Sequence, residues 1–385
     1  MTAPPHVHPS VFIDPTLPLD RISPDAIIHP GCRILGPDTS IGPGCILGKE
    51  APLTLENCQL QSNVSLAGGF CSGSSFLTGA SLGADAHLRP GTILEEHAGG
   101  GHAVGLKQTI LMPFVTTGSL INVCDCLMAG GTDRKNHSEI GSSYVHFNYT
   151  PNQDKATASL LGDVPRGVML DQAPIFLGGQ GGLVGPARIA YGTVIAAGTI
   201  WRGDILEPNQ LHYGKARHGS QASASGVYKN ARRIVRNNLI YIGNLHALLQ
   251  WYEHVRARFM QHTPFDTAAF RGARARITLV IGERLKRMDE LVEKLAASSA
   301  RHPSPDEAAF QNSFAATWPA LRPHLTPDAT ANIGARDRVT LLAGLDTSSK
   351  RSYLDAIHTL SPSARTSGTA WLQAVVDAVA NHISC

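Results

Sequence analysis

The segment Phe76-Leu-Thr-Gly-Ala-Ser-Leu82-Gly-Ala-Asp-Ala-His-Leu88-Arg-Pro-Gly-Thr-Ile-Leu94 places a large apolar residue at every sixth position. The same step runs back to Phe70 and on through Gly100, Leu106 and Met112. It returns at Leu177, Leu183, Ile189, Ile195 and Trp201, with shorter runs at Ile28 and Ile34 and at Ile41 and Leu47. A period of six matches neither the 3.6 of a helix nor plain strand alternation over such a length. It suits a coil of short strands and turns in which every sixth side chain points inward. The small residues between them, such as Gly-Ala-Asp and Arg-Pro-Gly-Thr, then form corners, where glycine tolerates positive φ. The rhythm fails between Asn122 and Ala158, and the polar run Gly-Gly-Thr-Asp-Arg-Lys-Asn-His there predicts a loop leaving the coil.

The glycines follow the rhythm. Of 38 in the 385 residues, 31 precede Ser225, where the charge is 13 basic against 17 acidic; the remainder holds 20 basic against 13 acidic. Net −4 before the divide and +7 after it mark two architectures that meet near Gly219 to Gly226. Beyond it the period turns helical, with Val235, Leu239, Ile242, Leu245, Leu249 and Tyr252 on one stripe and Ile277, Ile281, Leu285, Met288, Val292 and Leu295 on another. Thr263-Pro264 separates two long helices, Ser304-Pro305 opens a third, and Pro323, Pro327 and Pro362 divide the rest. The predicted organisation is an N-terminal extension over 1–26, a mainly β coil over 27–225 with an inserted loop near 128–158, and an α-helical region over 226–385. An open solenoid end has to be covered, so capping or subunit contact is the expected role of the helices.

With 43% apolar residues and a net charge of +3, the composition excludes general disorder. No stretch approaches an unbroken membrane span, and residues 1–10 lack the order of a signal peptide, so the expectation is a cytoplasmic protein. Seven cysteines, an odd number at low density, read as reduced thiols, and Cys124-x-Cys126 as buried packing.

The hexapeptide rhythm resembles the left-handed parallel β-helix of the hexapeptide-repeat acyltransferases over about Ile27 to Asp204. A set of motifs in order sharpens the resemblance: His87-Leu88-Arg89-Pro90-Gly91, Gly105-Leu106-Lys107, Ile140-Gly141, Phe147-Asn148-Tyr149, Lys155, Leu161-Gly162-Asp163, Gly182-Leu183-Val184-Gly185-Pro186 and Ile195-Ala196-Ala197-Gly198-Thr199. The set is similar to the acetyltransferase half of the bifunctional glucosamine-1-phosphate acetyltransferase and UDP-N-acetylglucosamine pyrophosphorylase. The residues ahead of the first coil are too few for the uridylyltransferase half.

That resemblance implies a homotrimer that binds a sugar phosphate or nucleotide sugar and uses acetyl-CoA or another acyl-CoA as co-substrate, with no tightly bound cofactor, no metal and no nucleic acid. Arg89 and Lys107 would grip the phosphate, as a guanidinium fork and a point charge suit it; as the bland alternative they are solvated corner residues. Tyr149 and Lys155 would line the substrate, and Asn148 would donate a hydrogen bond to the thioester carbonyl, where negative charge develops. Gly179 and Ala197 would border the coenzyme A groove, with Arg202, Lys215 and Arg217 as further phosphate contacts.

The sequence departs from the family at the general base. Counting forward from Lys107 reaches Ser119 where the catalytic histidine is expected, and Asn122 replaces the following tyrosine. Serine does not titrate near neutrality and cannot take the nucleophile's proton. His146, beside the Asn148 motif, is the replacement chosen here; His137 and His102 are the others. A non-catalytic sugar-phosphate-binding or scaffold protein is the alternative reading. A third, a γ-carbonic-anhydrase-like metal site on His97-x4-His102, lacks an obvious third ligand. The strip Arg232, Arg233 and Arg236 reads as an intersubunit or carrier contact, or as a solvated helix face.

Overall fold

A computed structural model describes residues 6–146, 155–214, 226–345 and 352–381. Short parallel strands stack into three faces. The first face is a ten-stranded sheet from Ile27–Ile28 to Leu211–His212, whose register stacks Ile28, Leu47, Leu66 and Leu82 inward. The second and third faces are joined in one 16-stranded sheet, because Val104–Leu111 and Ile121–Met128 run through the corner between them without a break. The first halves of these strands continue the second face, which includes Arg33–Leu35, Leu53–Glu56 and Ala86–Arg89. Their second halves continue the third, which includes Gln59–Leu60, Ser74–Phe76 and Thr92–Leu94. This is the left-handed parallel β-helix followed by helices that the repeat predicts.

The inward column of the third face shows why a six-residue rhythm specifies the coil. Ile41, Leu60, Phe76, Leu94, Leu111, Met128, Leu161 and Ile189 stack rung on rung, each fully buried. On several successive rungs the corner between the second and third faces takes a left-handed residue. Gly73 and Gly91 supply it with φ of 53° and 87°, but on the next two rungs Gln108 and Asp125 adopt φ of 47° and 53° despite their side chains.

The structure corrects four expectations. The coil begins before Ile27: Phe12–Ile13 pairs in parallel with Arg33–Ile34, and Val7 bridges to Ile28, so part of the supposed extension is already wound on. Phe70 faces outward and stacks on His87 at 5.3 Å, while Cys71 takes the inward place; a one-residue slip in a strand exchanges the faces. Much of 128–158 stays in the coil, since Glu139–Ile140 and Tyr144–Val145 pair with neighbouring rungs. Within the described part of that stretch, what leaves the coil is a small antiparallel hairpin of Gly131–Asp133 and Asn136–His137.

The fourth correction concerns the helices. After a single turn within the coil, α1 (Val164–Gly167), come α2 (Ala231–His254), α3 (Pro264–Ser299), α4 (Pro305–Leu321), α5 (Ala335–Ala343), α6 (Tyr353–His358) and α7 (Pro362–Ala380). Thr263 and Ser304 cap α3 and α4 by accepting from the amides of Asp266 and Glu307, with proline at the first helical position. The helices lie along the third face instead of closing an end. Asp266 of α3 accepts from Gln61 at 2.7 Å, Arg276 donates to the Asn57 carbonyl at 2.7 Å, and Arg284 donates to Gln108 at 2.7 Å and Asp125 at 2.8 Å. Beyond α2, the wholly buried Arg256 ion-pairs with both Glu95 and Glu96 and sits 3.6 Å over the Tyr353 ring. The outer side of the third face mixes Gln59 and Ser75 with Ile93, Ile110, Leu127 and Leu160, all buried, so the helices cover it with both polar and apolar side chains.

Candidate functional site

The outer side of the second face carries the residues singled out by the motifs. Register places Arg89 beside Lys107 and Lys107 beside Cys124, and Val145 opposite Val123 puts His146 level with Cys124 on the next rung. Arg89 is exposed, Lys107 and His146 are half-buried, and Cys124 is 5% exposed. The Arg89 guanidinium lies 3.7 Å from Cys124 Sγ. Burial pushes the Cys124 thiol up, and the Asp125 carboxylate adds to this, while Arg89 and Lys107 pull it back. Burial lowers the His146 pKa below the usual imidazole value; Asp125 opposes the shift, and Arg89, Lys107 and Lys155 reinforce it. His146 is thus a neutral imidazole among three cations at neutral pH. Lys155 is exposed, and its carbonyl accepts from Arg284 at 3.3 Å. Asn148 and Tyr149 lie outside the described residues, as do Lys215 and Arg217.

Asp125 ties this row to the helices. It occupies the strained corner one residue beyond Cys124, is 8% exposed, and is held by Arg284, which is 1% exposed. Gln108, one residue beyond Lys107, accepts from the same guanidinium.

A second group lies at the corner between the first and second faces. Register brings His102, Ser119, Ser142, Gly179 and Ala197 into one column. Ser119 Oγ is 2.8 Å from His102 Nδ1, and the His102 amide donates to Ser119 Oγ at 3.2 Å. The chain here is stacked closely: a Cβ on Gly178 would lie 2.4 Å from the Ala197 nitrogen, whereas one on Gly179 would meet nothing nearer than 3.5 Å, so Gly179 presents bare backbone outward. Within one chain this column and the Arg89 row stand at opposite edges of the second face, roughly 15 Å apart at ~3.3 Å per strand residue. The expected site residues therefore form two groups.

Relatives in sequence agree with this architecture. The bifunctional protein GlmU of Pelobacter propionicus is 30% identical over 185 residues, covering 48% of this chain and 36% of that protein. GlmU of Mycobacterium leprae is 30% identical over 184 residues, covering 48% and 33%, and that of Thermotoga petrophila 29% over 198 residues, covering 51% and 39%. Over about half of its length the chain is similar to these GlmU proteins, and its β-solenoid fits the hexapeptide-repeat acyltransferases. It spans between 33% and 39% of the length of these GlmU relatives. No protein-family model matches it. Among solved structures, LpxA from Acinetobacter baumannii aligns with 70% of this chain and 97% of its own at 14% identity and a TM-score of 0.17. The Arabidopsis UDP-N-acetylglucosamine acyltransferase covers 81% and 96% at 12% identity and a TM-score of 0.21.

Of the other superfamily-inspired candidates, His137 is turned into the hairpin, its Nδ1 3.0 Å from the Arg134 carbonyl. His97 stacks on Phe114 at the corner on the far side of Gly99–Gly100 from His102, so the two histidines of the metal reading flank a strand from opposite corners. Among the described residues no three His, Cys, Asp or Glu side chains are grouped to hold a metal ion. Arg233 bonds the Pro186 carbonyl at 2.8 Å and pairs with Asp204 at 3.4 Å, a contact within the chain. The sequence reading missed the His102–Ser119 pair. Its signal was the seventeen-residue spacing, which equals one rung at this level of the coil.

Proposed function

We propose that this chain is an acyltransferase that moves an acyl group from an acyl-CoA to an amine or hydroxyl of a phosphorylated or nucleotide-linked sugar, acting as a homotrimer. The observation that carries the reading is the row of Arg89, Lys107 and His146: two cations for a phosphate beside an imidazole kept neutral. The sugar phosphate binds Arg89 and Lys107, with Lys155 and Tyr149 at its edge. His146 Nδ1 or Nε2 takes the proton as the sugar nitrogen or oxygen attacks the thioester carbon, and Asn148 donates to the carbonyl oxygen. The C–S bond then breaks, and the proton leaves with the coenzyme A thiol. The bare backbone at Gly179 and the small Ala197 leave room for the donor's pantetheine arm. A trimer seats the corner column of one copy against the second face of the next, which joins the two groups.

The test is release of coenzyme A across a panel of amino-sugar phosphates and nucleotide sugars. Turnover lost in His146→Ala and kept in Ser119→Ala supports the assignment; turnover lost in His102→Ala but kept in His146→Ala moves the base to the corner. One observation favours a second reading as a non-catalytic sugar-phosphate binder: the family's base position is a serine whose hydroxyl is engaged by His102. Ligand binding without any coenzyme A release decides for that reading.

A further inference from the structure

Where α2 meets the later rungs of the coil, a cleft of about 640 Å3 opens between α1, α2, α7 and the strands around Leu160 and Ile189. Five arginines line it: Arg166, Arg188, Arg232, Arg233 and Arg236. Three are committed. Arg166 pairs with Asp163, Arg233 holds Asp204 and the Pro186 carbonyl, and Arg232 lies over the Phe310 ring at 4.5 Å with Glu307 at 3.8 Å. Arg188 and Arg236 are not: among the described residues no hydrogen bond or ion pair reaches either guanidinium, and the Nε of Arg188 is buried without a partner.

The nearest carboxylate does not meet this need. Asp204 Oδ1 already accepts from the Arg188 backbone amide at 3.0 Å, from Asn237 at 2.8 Å and from Arg233 at 3.4 Å. Asp377 also lines the cleft and accepts from Gln373 at 2.8 Å. Burial weighs most against the Arg188 guanidinium; the Asp204 carboxylate offsets part of it, and the like charge of Arg236 adds a smaller opposing effect. Arg188 is half-buried and Arg236 exposed, and each guanidinium offers a bidentate fork to the oxygens of a phosphate. The lining also has an apolar part, from Leu160, Ile240 and Val376, with the exposed Leu206 at its edge. It gives an organic group a place to rest that a free inorganic ion does not use.

We propose that this cleft is a binding site for a small phosphorylated organic molecule, with Arg188 and Arg236 clasping the phosphate and the apolar part of the lining receiving the organic part. The site lies on the third-face side of the coil, apart from the Arg89 row, and stands or falls independently of the acyl transfer proposed above.

Titration calorimetry with adenosine diphosphate and with inorganic pyrophosphate tests it. The full-length protein used carries Arg89→Gln and Lys107→Gln, so that the proposed sugar-phosphate site is disabled. The expected results are saturable binding of adenosine diphosphate, tighter than that of pyrophosphate, and weakened by added salt. Adding Arg188→Gln and Arg236→Gln weakens it about tenfold or more, as loss of charge-assisted hydrogen bonds does. A thermal melt close to that of the parent accompanies that variant, because among the described residues neither guanidinium makes a hydrogen bond or ion pair that would be lost. The proposal is overturned if neither ligand binds, if pyrophosphate binds as tightly as the nucleotide, or if the Arg188 and Arg236 changes leave affinity intact while the protein stays folded.

Discussion

The second and third faces of the coil carry arginine contacts of opposite kinds. On the third, Arg256 and Arg284 enter from the helical layer fully buried, Arg256 met by the buried carboxylates of Glu95 and Glu96 and Arg284 by that of Asp125. On the second, Arg89 is exposed and, among the described residues, its side chain hydrogen-bonds only the Cys124 thiol, with Lys107 beside it. A buried arginine with two carboxylates is part of the scaffold, because any one of the three left alone would be an uncompensated charge in the interior. An exposed cation beside another cation contributes nothing to the fold and is free for a ligand. Residue type is the same on both faces; what distinguishes scaffold from candidate site is how completely the charge is answered within the chain.

The strongest way to break this contrast is Arg256→Ala. It leaves Glu95 and Glu96 side by side and buried, and the expected cost is about 3–5 kcal/mol, read from the midpoint of denaturant unfolding. A cost under about 1 kcal/mol would put Arg256 in the same class as Arg89. On the second face the same substitution at Arg89 or Lys107 should leave the unfolding midpoint within about 0.5 kcal/mol of the parent and weaken sugar-phosphate binding about tenfold or more. An equal loss of stability on both faces would erase the distinction. The smallest effect concerns pH. With His146 held below the usual imidazole value, coenzyme A release should persist below pH 6.5 and fall only as the imidazole protonates. Lys107→Met removes one of the charges that lowers it, so the acidic limb of the kcat/KM profile should move to higher pH; a limb that stays put assigns it to another group.

The fold was readable from the sequence where one chemical demand repeats. The inward columns need apolar side chains, and Phe76, Leu82, Leu88 and Leu94 meet that demand at even steps. The exchange of Phe70 for Cys71 was hidden because both are apolar enough to fill the column, and only pairing distinguishes them. The place of the helices was hidden for a different reason. Gln59, Gln61, Glu95, Glu96 and Gln108 look solvent-facing in sequence, yet all are buried, because they meet the polar side chains of α2 and α3 and of Arg256 between them. In the candidate site, Arg89, Lys107 and His146 were found through local motifs, and register then set them in one row, with Cys124 between Lys107 and His146. His102 and Ser119 are neighbours only across a rung, a distance that has no meaning until the coil's circumference is known.

The two strands that cross the corner unbroken, Val104–Leu111 and Ile121–Met128, make Lys107 the chain neighbour of Gln108 and Cys124 that of Asp125. Arg284 grips both corner residues from behind. A single helical side chain thereby splints two successive rungs one peptide bond away from the cationic row, setting how far apart its members stand. The helical region becomes a brace for the pitch of the coil, and trimming or loosening it would detune the spacing of that row while the row itself remained chemically intact.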